Sequence, residues 1–448
     1  MSWLIDKFNQ LDDRIAIIHK SNSYTYKELF NNIERVKKKV IKNKINPGEV
    51  VSIINDYSFD SISLLLALYQ NKNIIVPITS KIKEEINKKI KESFSTKSIL
   101  LYKNEIKVNN HKIIEFHQMI RTLQNRNCSG LIFFSSGSTG NPKAMIHNFD
   151  NLVDYYKNKK LRSINMILFL MFDHIGGLNT LLNILSTGAT MIIPENRNSD
   201  EICRLIQDYK IKILPSSPTF LNLILMNNSY DKYDLTSLRM ITYGTETMPE
   251  SLLKRLRKIF SKVKFLQTFG TSETGIANTS SKSSNSTFMK IDDANLEYKI
   301  VENELWLKSK TQVLGYLNSP MNSFTDDGWF KTGDLVEEAD DGYIKIIGRN
   351  REVINVGGEK VLPSEIESII LSILEIQDVL VYGEKNIITG QTVVCDVVIK
   401  DKIESGQIKK IIRKYCKDKL AIYKIPTKVN IVTETNFGER FKKFRIKQ

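Results

Sequence analysis

Between residues 25 and 41 apolar side chains recur every three to four positions among lysines, asparagines and glutamates, a spacing that predicts an amphipathic helix. The turn signal Pro47-Gly48 precedes a β-branched run over 50–54, which predicts a short strand. An apolar helix over 60–70, a buried strand over 74–76 and a charged helix over 81–93 continue the rhythm and point to βαβ units with a parallel sheet. Further strands are predicted at 129–134, 166–171, 190–193 and 211–214. Further helices are predicted at 178–185, 200–209, 219–226 and 249–259.

The texture then changes. Residues 278–287, rich in Ser and Asn, read as a polar loop too short to link domains, and 296–307 and 342–347 alternate like strands. After Gly348-Arg349 a separate unit of about a hundred residues is predicted, with helices at 364–374 and 407–420 and strands at 378–382 and 393–399. The domain boundary is therefore expected near residue 350.

Composition changes this picture little. Of 448 residues 41% are hydrophobic and 26% charged, an ordinary soluble balance whose length implies at least two folded units. The longest compact apolar runs, 167–172 and 369–374, fall far short of the roughly 20 residues a bilayer span needs. The first residues lack the basic-then-apolar order of a secretory signal, so the reading is cytoplasmic. Cys128, Cys203, Cys395 and Cys416 form no CxxC pair and read as structural thiols. The net charge of +15 admits a phosphate-rich partner, but the lysines are spread over solvated helix faces such as 81–91 and 409–419 without interleaved aromatics. That distribution argues against nucleic acid and leaves attraction of anionic nucleotides or an acidic protein.

The strongest chemical signal is Ser135-Ser-Gly-Ser-Thr-Gly-Asn-Pro-Lys143, directly after the apolar strand 131–134. Gly137 and Gly140 remove Cβ obstruction. The hydroxyls of Ser135, Ser136, Ser138 and Thr139, with backbone N–H groups, can surround phosphate oxygens, and Lys143 adds positive charge. The order is not that of a Walker A loop, because Asn141-Pro142 separate Gly140 from Lys143 and no Ser or Thr follows. A plain Ser/Gly-rich turn is the competing reading.

This loop resembles the signature of the adenylate-forming superfamily of acyl-CoA synthetases, luciferases and peptide-synthetase adenylation domains. Phe269-Gly-Thr-Ser-Glu-Thr-Gly275 resembles that family's aromatic-Gly-x-Thr-Glu segment, with Ser272 in place of the usual Thr. Phe330-Lys-Thr-Gly-Asp-Leu335 resembles its TGD motif. The stretch from Gly348 to Glu367 is similar to the GRxxxxIxxxGxxVxxxEIE segment that opens its small C-terminal domain. Four matches in order extend the resemblance over essentially the whole chain, with a texture closest to acyl- and aryl-CoA ligases.

The resemblance implies an α/β fold: a large AMP-binding domain over 1–349, built of βαβ-rich subdomains plus a small β-rich one, then a mobile α+β domain over 350–448. It implies an ATP- and Mg2+-dependent ligase. A small carboxylic acid would become an acyl-adenylate, then a thioester on CoA or on the phosphopantetheine of an acyl or peptidyl carrier protein. Attack of a carboxylate on the α-phosphate relies on positioning and charge neutralisation. The loop 135–143 would hold the departing β- and γ-phosphates and Glu273 would bind Mg2+, a cation that prefers carboxylate, water and phosphate oxygens. Gly244, Thr245, Glu246, Phe269 and Gly270 would wall the adenine site, and Thr271 and Ser272 would reach phosphate or carboxylate oxygens. Asp334 would accept hydrogen bonds from both ribose hydroxyls, and Arg349 would also contact the ribose or phosphates. Arg351 stands where the family places the hinge of its C-terminal domain, and Gly357-Gly358 would approach the pantetheine arm.

Two departures follow. The family's final Gly-Lys is replaced by Gly438-Glu439, and a glutamate would repel the acid, so the cation must come from Arg440, Lys442 or Lys443; Lys442 is favoured. The phosphate loop also lies nearer the N-terminus than in most relatives. For the acid, Met171-Phe-Asp-His-Ile-Gly-Gly-Leu178 resembles the Phe-His-x-x-Gly-Leu segment of acyl- and aryl-CoA synthetases. His174 would line the pocket, with Ser216, Pro218 and Thr268 as further walls, or would serve only to start a helix. Asp173 could instead receive the α-amino group of an amino acid. A stand-alone amino-acid-adenylating enzyme and a catalytically weakened nucleotide-binding homologue therefore stay open as alternatives.

Overall fold

The computed structural model describes residues 2–102, 105–135, 142–400 and 405–445, and among them the βαβ rhythm builds two seven-stranded sheets. The first runs Gly315–Tyr316, Lys143–Asn148, Gly130–Ser135, Ile74–Ile78, Val50–Ile54, Lys97–Tyr102, Glu105–Asn110, with the four strands from Gly130–Ser135 to Lys97–Tyr102 parallel. The second runs Lys264–Gln267, Met240–Tyr243, Ile213–Ser216, Asn165–Ile167, Thr190–Ile193, Ile15–His19, Asn22–Thr25, parallel except for the last.

Helices Trp3–Leu11, Tyr26–Lys42, Phe59–Gln70 and Ile175–Thr187 fill the space between the sheets. Their apolar faces share one core with Ile53, Leu131 and Phe133 of the first sheet and Met166, Met191 and Ile193 of the second. The helix predicted over 25–41 begins where local chemistry dictates. Thr25 accepts the Glu28 N–H at 3.1 Å while Glu28 accepts the Thr25 N–H at 2.6 Å, satisfying two donors that the first turn cannot.

A third, antiparallel sheet has the order Thr279–Ser281, Met289–Ile291, Tyr343–Arg349, Phe330–Ala339, Glu304–Ser309, Leu296–Val301. After Arg349 the chain turns through 350–352 into another sheet, made of Ile354–Val356, Glu359–Val361, Gly390–Ile399, Ile376–Asn386 and Lys428–Ile431. Helices Pro363–Ile370 and Ser405–Lys417 pack on it, giving a small α+β unit whose core runs on without a break into the outer face of the second large sheet.

Three expectations change. The strand predicted at 166–171 stops at Ile167, because Arg197 Nε takes the Phe169 carbonyl at 2.6 Å and the chain leaves the sheet. The polar stretch 278–287 is not all loop. Thr279–Ser281 is a strand, held to the second sheet by the Thr279 hydroxyl on the Gln267 carbonyl (2.6 Å) and the Gln267 N–H on the Ser281 hydroxyl (2.8 Å). The alternating run 296–307 is a hairpin, with Glu302 and Asn303 both left-handed (φ 51° and 64°) as a two-residue type I′ turn requires. Among the described residues all four cysteines are free, and no helix is long and apolar enough to cross a membrane.

Candidate active site

The carboxyl ends of the two large sheets, the third sheet and the C-terminal segment surround one cavity of about 990 Å³. Open α/β sheets present their ligand crevice at that end of their strands.

On the phosphate side, Ser135 ends its strand opposite Lys143 on the next. Ser136, Gly137, Ser138, Thr139 and Gly140 lie outside the described residues. Lys143 Nζ sits 4.7 Å from the centre of the Tyr316 ring, and the Tyr316 hydroxyl donates to Glu273 Oε1 at 3.0 Å. Burial first, then the Glu273 charge, pushes the Tyr316 pKa far up, so it stays a neutral donor that aims the carboxylate. Glu273 stands in the turn between Phe269–Thr271 and Gly275–Ala277, which the Thr274 N–H closes on the Thr271 hydroxyl at 3.1 Å. No group of three or more His, Cys, Asp or Glu among the described residues could hold a metal. A single carboxylate near the residues expected to meet phosphates would suit Mg2+, which keeps water and phosphate ligands.

On the nucleoside side, Asp334 is 4% exposed and its Oδ1 accepts Arg349 Nε at 2.8 Å from the neighbouring strand. The Asp334 charge raises the Arg349 pKa further. Asp334 also lines the cavity. Phe269 packs on Met289 and Val336 and also lines the cavity, so it serves core and site together. Gly244 and Thr245 line the cavity as well. Glu246 is committed elsewhere, accepting the Thr219 hydroxyl at 2.6 Å and the Lys443 N–H at 2.6 Å.

The C-terminal segment closes this side. Phe437 bridges to Lys443 and Phe441 takes a left-handed φ of 50°, which makes 437–443 a tight hairpin. The Phe441 ring lies 5.4 Å from that of Phe169 and 5.0 Å from that of Phe220, and its carbonyl accepts the Ser217 hydroxyl at 2.8 Å. The hairpin sorts the cations left open by the sequence. Lys443 is bound to Asp378 at 2.6 Å, and Arg445 to Glu352 and Glu367 at 3.0 and 2.7 Å. Glu439 is exposed. Lys442 lines the cavity, and its ammonium makes no hydrogen bond or ion pair among the described residues, although its carbonyl accepts the Gly438 N–H at 3.1 Å. Burial, then Arg349 and Arg351, lowers its pKa to about 8, against partial opposition from Glu246 and Glu352.

On the acid side, His174 Nδ1 accepts the Gly176 N–H at 3.1 Å and caps helix Ile175–Thr187, which leaves the proton on Nε2. Burial, then Arg440, pushes its pKa down to about 3, so it is neutral at physiological pH. Asp173 does not stand free for an amino group: Lys89 and Arg440 share its Oδ2 at 3.5 and 3.4 Å. Ser216 and Thr268 line the cavity, whereas Pro218 starts helix Pro218–Met226 and is not part of the lining. Gly177 has no room for a side chain, since a Cβ there would fall 2.0 Å from the Met171 carbonyl oxygen. Gly177→Ala is expected to cost about 1–3 kcal/mol in chemical denaturation. Gly176→Ala, whose Cβ meets the Leu170 side chain instead, is expected to cost less.

The model of the family described as AMP-binding enzyme matches residues 6–317. The chain belongs to the AMP-binding enzymes. The model of that family's C-terminal domain matches residues 365–436 of the AMP-binding enzyme described here. It is similar to a 2-succinylbenzoate–CoA ligase of Bacillus licheniformis, at 24% identity over 96% of this chain and 95% of the relative. It is also similar to an indoleacetate–CoA ligase of Aromatoleum aromaticum, at 28% identity over 68% and 63%. Among solved structures, an anthranilate CoA ligase in complex with anthranoyl-AMP shares the fold with a TM-score of 0.82 at 19% identity, over 98% of this chain and 95% of the other. The o-succinylbenzoate CoA synthetase of Bacillus subtilis with ATP and magnesium ion superimposes with a TM-score of 0.77 at 20% identity, over 99% and 98%.

Several residues of this AMP-binding enzyme's site escaped the sequence reading. Tyr316 belongs to no motif and lies 43 positions from the carboxylate it orients. Lys89 looked like one of many solvated lysines of its helix. Tyr155 and Tyr156, which line the cavity with Asn179, sit in a stretch without a recognisable pattern.

Proposed function

We propose that this AMP-binding enzyme is an AMP-forming acid–thiol ligase, and that the observation carrying the reading is Lys442, whose ammonium is presented to the cavity with no partner among the described residues. It stands close enough to Arg349 and His174 to shift or be shifted by their charges, between the nucleoside side and the acid side. The acid's carboxylate oxygen attacks the α-phosphorus of ATP, and pyrophosphate leaves. Lys442 neutralises charge shared by the carboxylate and the α-phosphate, where a fixed cation in a water-poor site acts most strongly. Asp334 accepts the ribose hydroxyls. Ser135 and Lys143, at the two ends of the Ser/Gly loop, hold the departing phosphates with Ser136, Gly137, Ser138, Thr139 and Gly140. Glu273, steered by Tyr316, is the ligand for Mg2+, which when bound supplies charge neutralisation on the phosphates. His174 offers a neutral Nε2–H to the acid.

In the second half-reaction the acceptor's sulfur attacks the acyl carbon and AMP leaves. Residues 1–349 carry the ATP and acid site, and residues 350–448 act as a lid that turns about Arg351, where the chain passes between sheets. The turn withdraws Lys442 and brings the exposed Gly357-Gly358 turn toward the thiol arm. CoA is the acceptor favoured by the names of the relatives, with a phosphopantetheine carrier protein second. An aryl acid is favoured by the same names and by the Tyr155 and Tyr156 walls. The need for ATP, Mg2+ and CoA suits the cytoplasm.

Acid-dependent exchange of labelled pyrophosphate into ATP tests the reading, run with fatty, aryl and amino acids and followed by CoA and carrier-protein acceptors. Exchange with an aryl acid and AMP release on adding CoA are expected. Folded protein that binds ATP yet exchanges with no acid would instead be the weakened homologue.

A further inference from the structure

Asp173 occupies an unusual place for a carboxylate. It is 5% exposed, so its charge must be compensated, and it is compensated from two separate parts of the chain. Lys89, on helix Lys83–Glu92 of the large domain, approaches Oδ2 at 3.5 Å, with its ammonium 6.0 Å from the centre of the Phe134 ring, next to Ser135. Arg440, on the C-terminal hairpin, reaches the same oxygen at 3.4 Å and the Asp173 carbonyl also at 3.4 Å. We propose that Asp173 and Lys89 form the receptor of a latch whose moving part is Arg440, and that closing it sets the position of Lys442 for adenylate formation.

The geometry gives the latch its direction. Arg440 and Lys442 flank Phe441, whose left-handed backbone turns the hairpin where both cations line the cavity, with the more exposed Glu439 at its rim. Holding Arg440 therefore fixes Lys442 two residues on. Phe441 between the rings of Phe169 and Phe220, the Ser217 hydroxyl on the Phe441 carbonyl and the Lys443 N–H on Glu246 also hold the hairpin to the large domain. When the hairpin withdraws, Asp173 keeps Lys89, so it is never left as a lone buried charge, which would cost far more than losing one of two partners. A carboxylate with a single partner lost can release and recapture the hairpin. Burial would raise the Asp173 pKa, but Arg440 and Lys89 outweigh it and hold it below the ordinary value, which keeps the latch charged. Asp173 is thus a positioning residue, committed to the protein's own arginine rather than to an α-ammonium group of the substrate.

The inference rests on the proposed ligase reading for its kinetic part and stands alone for its structural part, and the test separates the two. Hydrogen exchange of the full chain without ligands is compared for wild type, Asp173→Asn, Arg440→Gln and the double variant. Each single variant is expected to speed exchange of the 437–443 amides by about tenfold, with strand Ile376–Asn386 unchanged and the double variant no faster than the singles. Unchanged exchange at 437–443 in Asp173→Asn overturns the latch, whatever the enzyme does. In parallel, pyrophosphate exchange is expected to fall about 10- to 100-fold in each single variant, without further loss in the double, as for a misplaced catalytic group. Thioester formation from a synthetic acyl-adenylate should stay within about twofold of wild type, because that step needs the hairpin withdrawn. Equal losses in both half-reactions, or losses that multiply in the double variant, overturn the latch. Faster 437–443 exchange in the variants of a protein that activates no acid would sink the ligase reading alone.

Discussion

Lys442→Ala is expected to lower adenylate formation by about 100- to 1000-fold, the loss seen when one group that stabilises developing charge is removed from a preorganised site. The neighbouring cations should not compensate, since Lys443 is tied to Asp378 and Arg445 to Glu352 and Glu367. Thioester formation from a supplied acyl-adenylate should survive. A variant that lost both half-reactions equally would point to a structural role instead. The pH dependence follows from the same residue. Its pKa is depressed to about 8, and the charged form is the one required, so kcat/KM should be level below that value and decline as pH rises through it. His174, already neutral because its pKa lies near 3, should contribute no limb between pH 5 and 8.

Glu273→Gln is expected to lower kcat/KM for Mg2+-ATP by about 100-fold or more, since a neutral amide cannot replace a carboxylate on a hard dication. Affinity for AMP without metal should change little, because the Asp334–Arg349 pair lies on strands apart from the 269–277 hairpin. Calorimetry with AMP and steady-state kinetics with ATP at several Mg2+ concentrations distinguish the two effects. If AMP binding falls as steeply as turnover, the glutamate supports the fold of the hairpin rather than the metal.

These expectations draw on two kinds of information. Local chemistry was readable in the order of the residues: the apolar stripe of the helix over 25–41, the strand before Ser135, and the Asp334 and Arg349 motifs that turned out to be cross-strand partners. The candidates for the missing lysine were also readable, because charge is a property of residue type. Which of the three was left with an unengaged charge was not, since it depends on a left-handed Phe441 and on Asp378 and Asp173 pairing with Lys443 and Arg440. Asp173 shows the same limit. Its sequence neighbourhood suited an amino-group receptor, and only the approach of Lys89 and Arg440, 84 positions before and 267 after it, shows that its charge is already engaged.

By itself, then, the sequence determined the family, the βαβ alternation, the ordered nucleotide motifs and the absence of the usual final lysine. These depend on periodicities and spacings of a few residues, set by backbone geometry and side-chain chemistry. The tertiary structure alone decided which cation in the cavity stays unpaired among the described residues, that Tyr316 aims Glu273, that Glu246 and Asp173 are bound to the C-terminal segment, and that 296–307 folds back as a hairpin. Those outcomes turn on packing and electrostatic pairing between residues distant along the chain, or on backbone conformations that residue type only weakly favours.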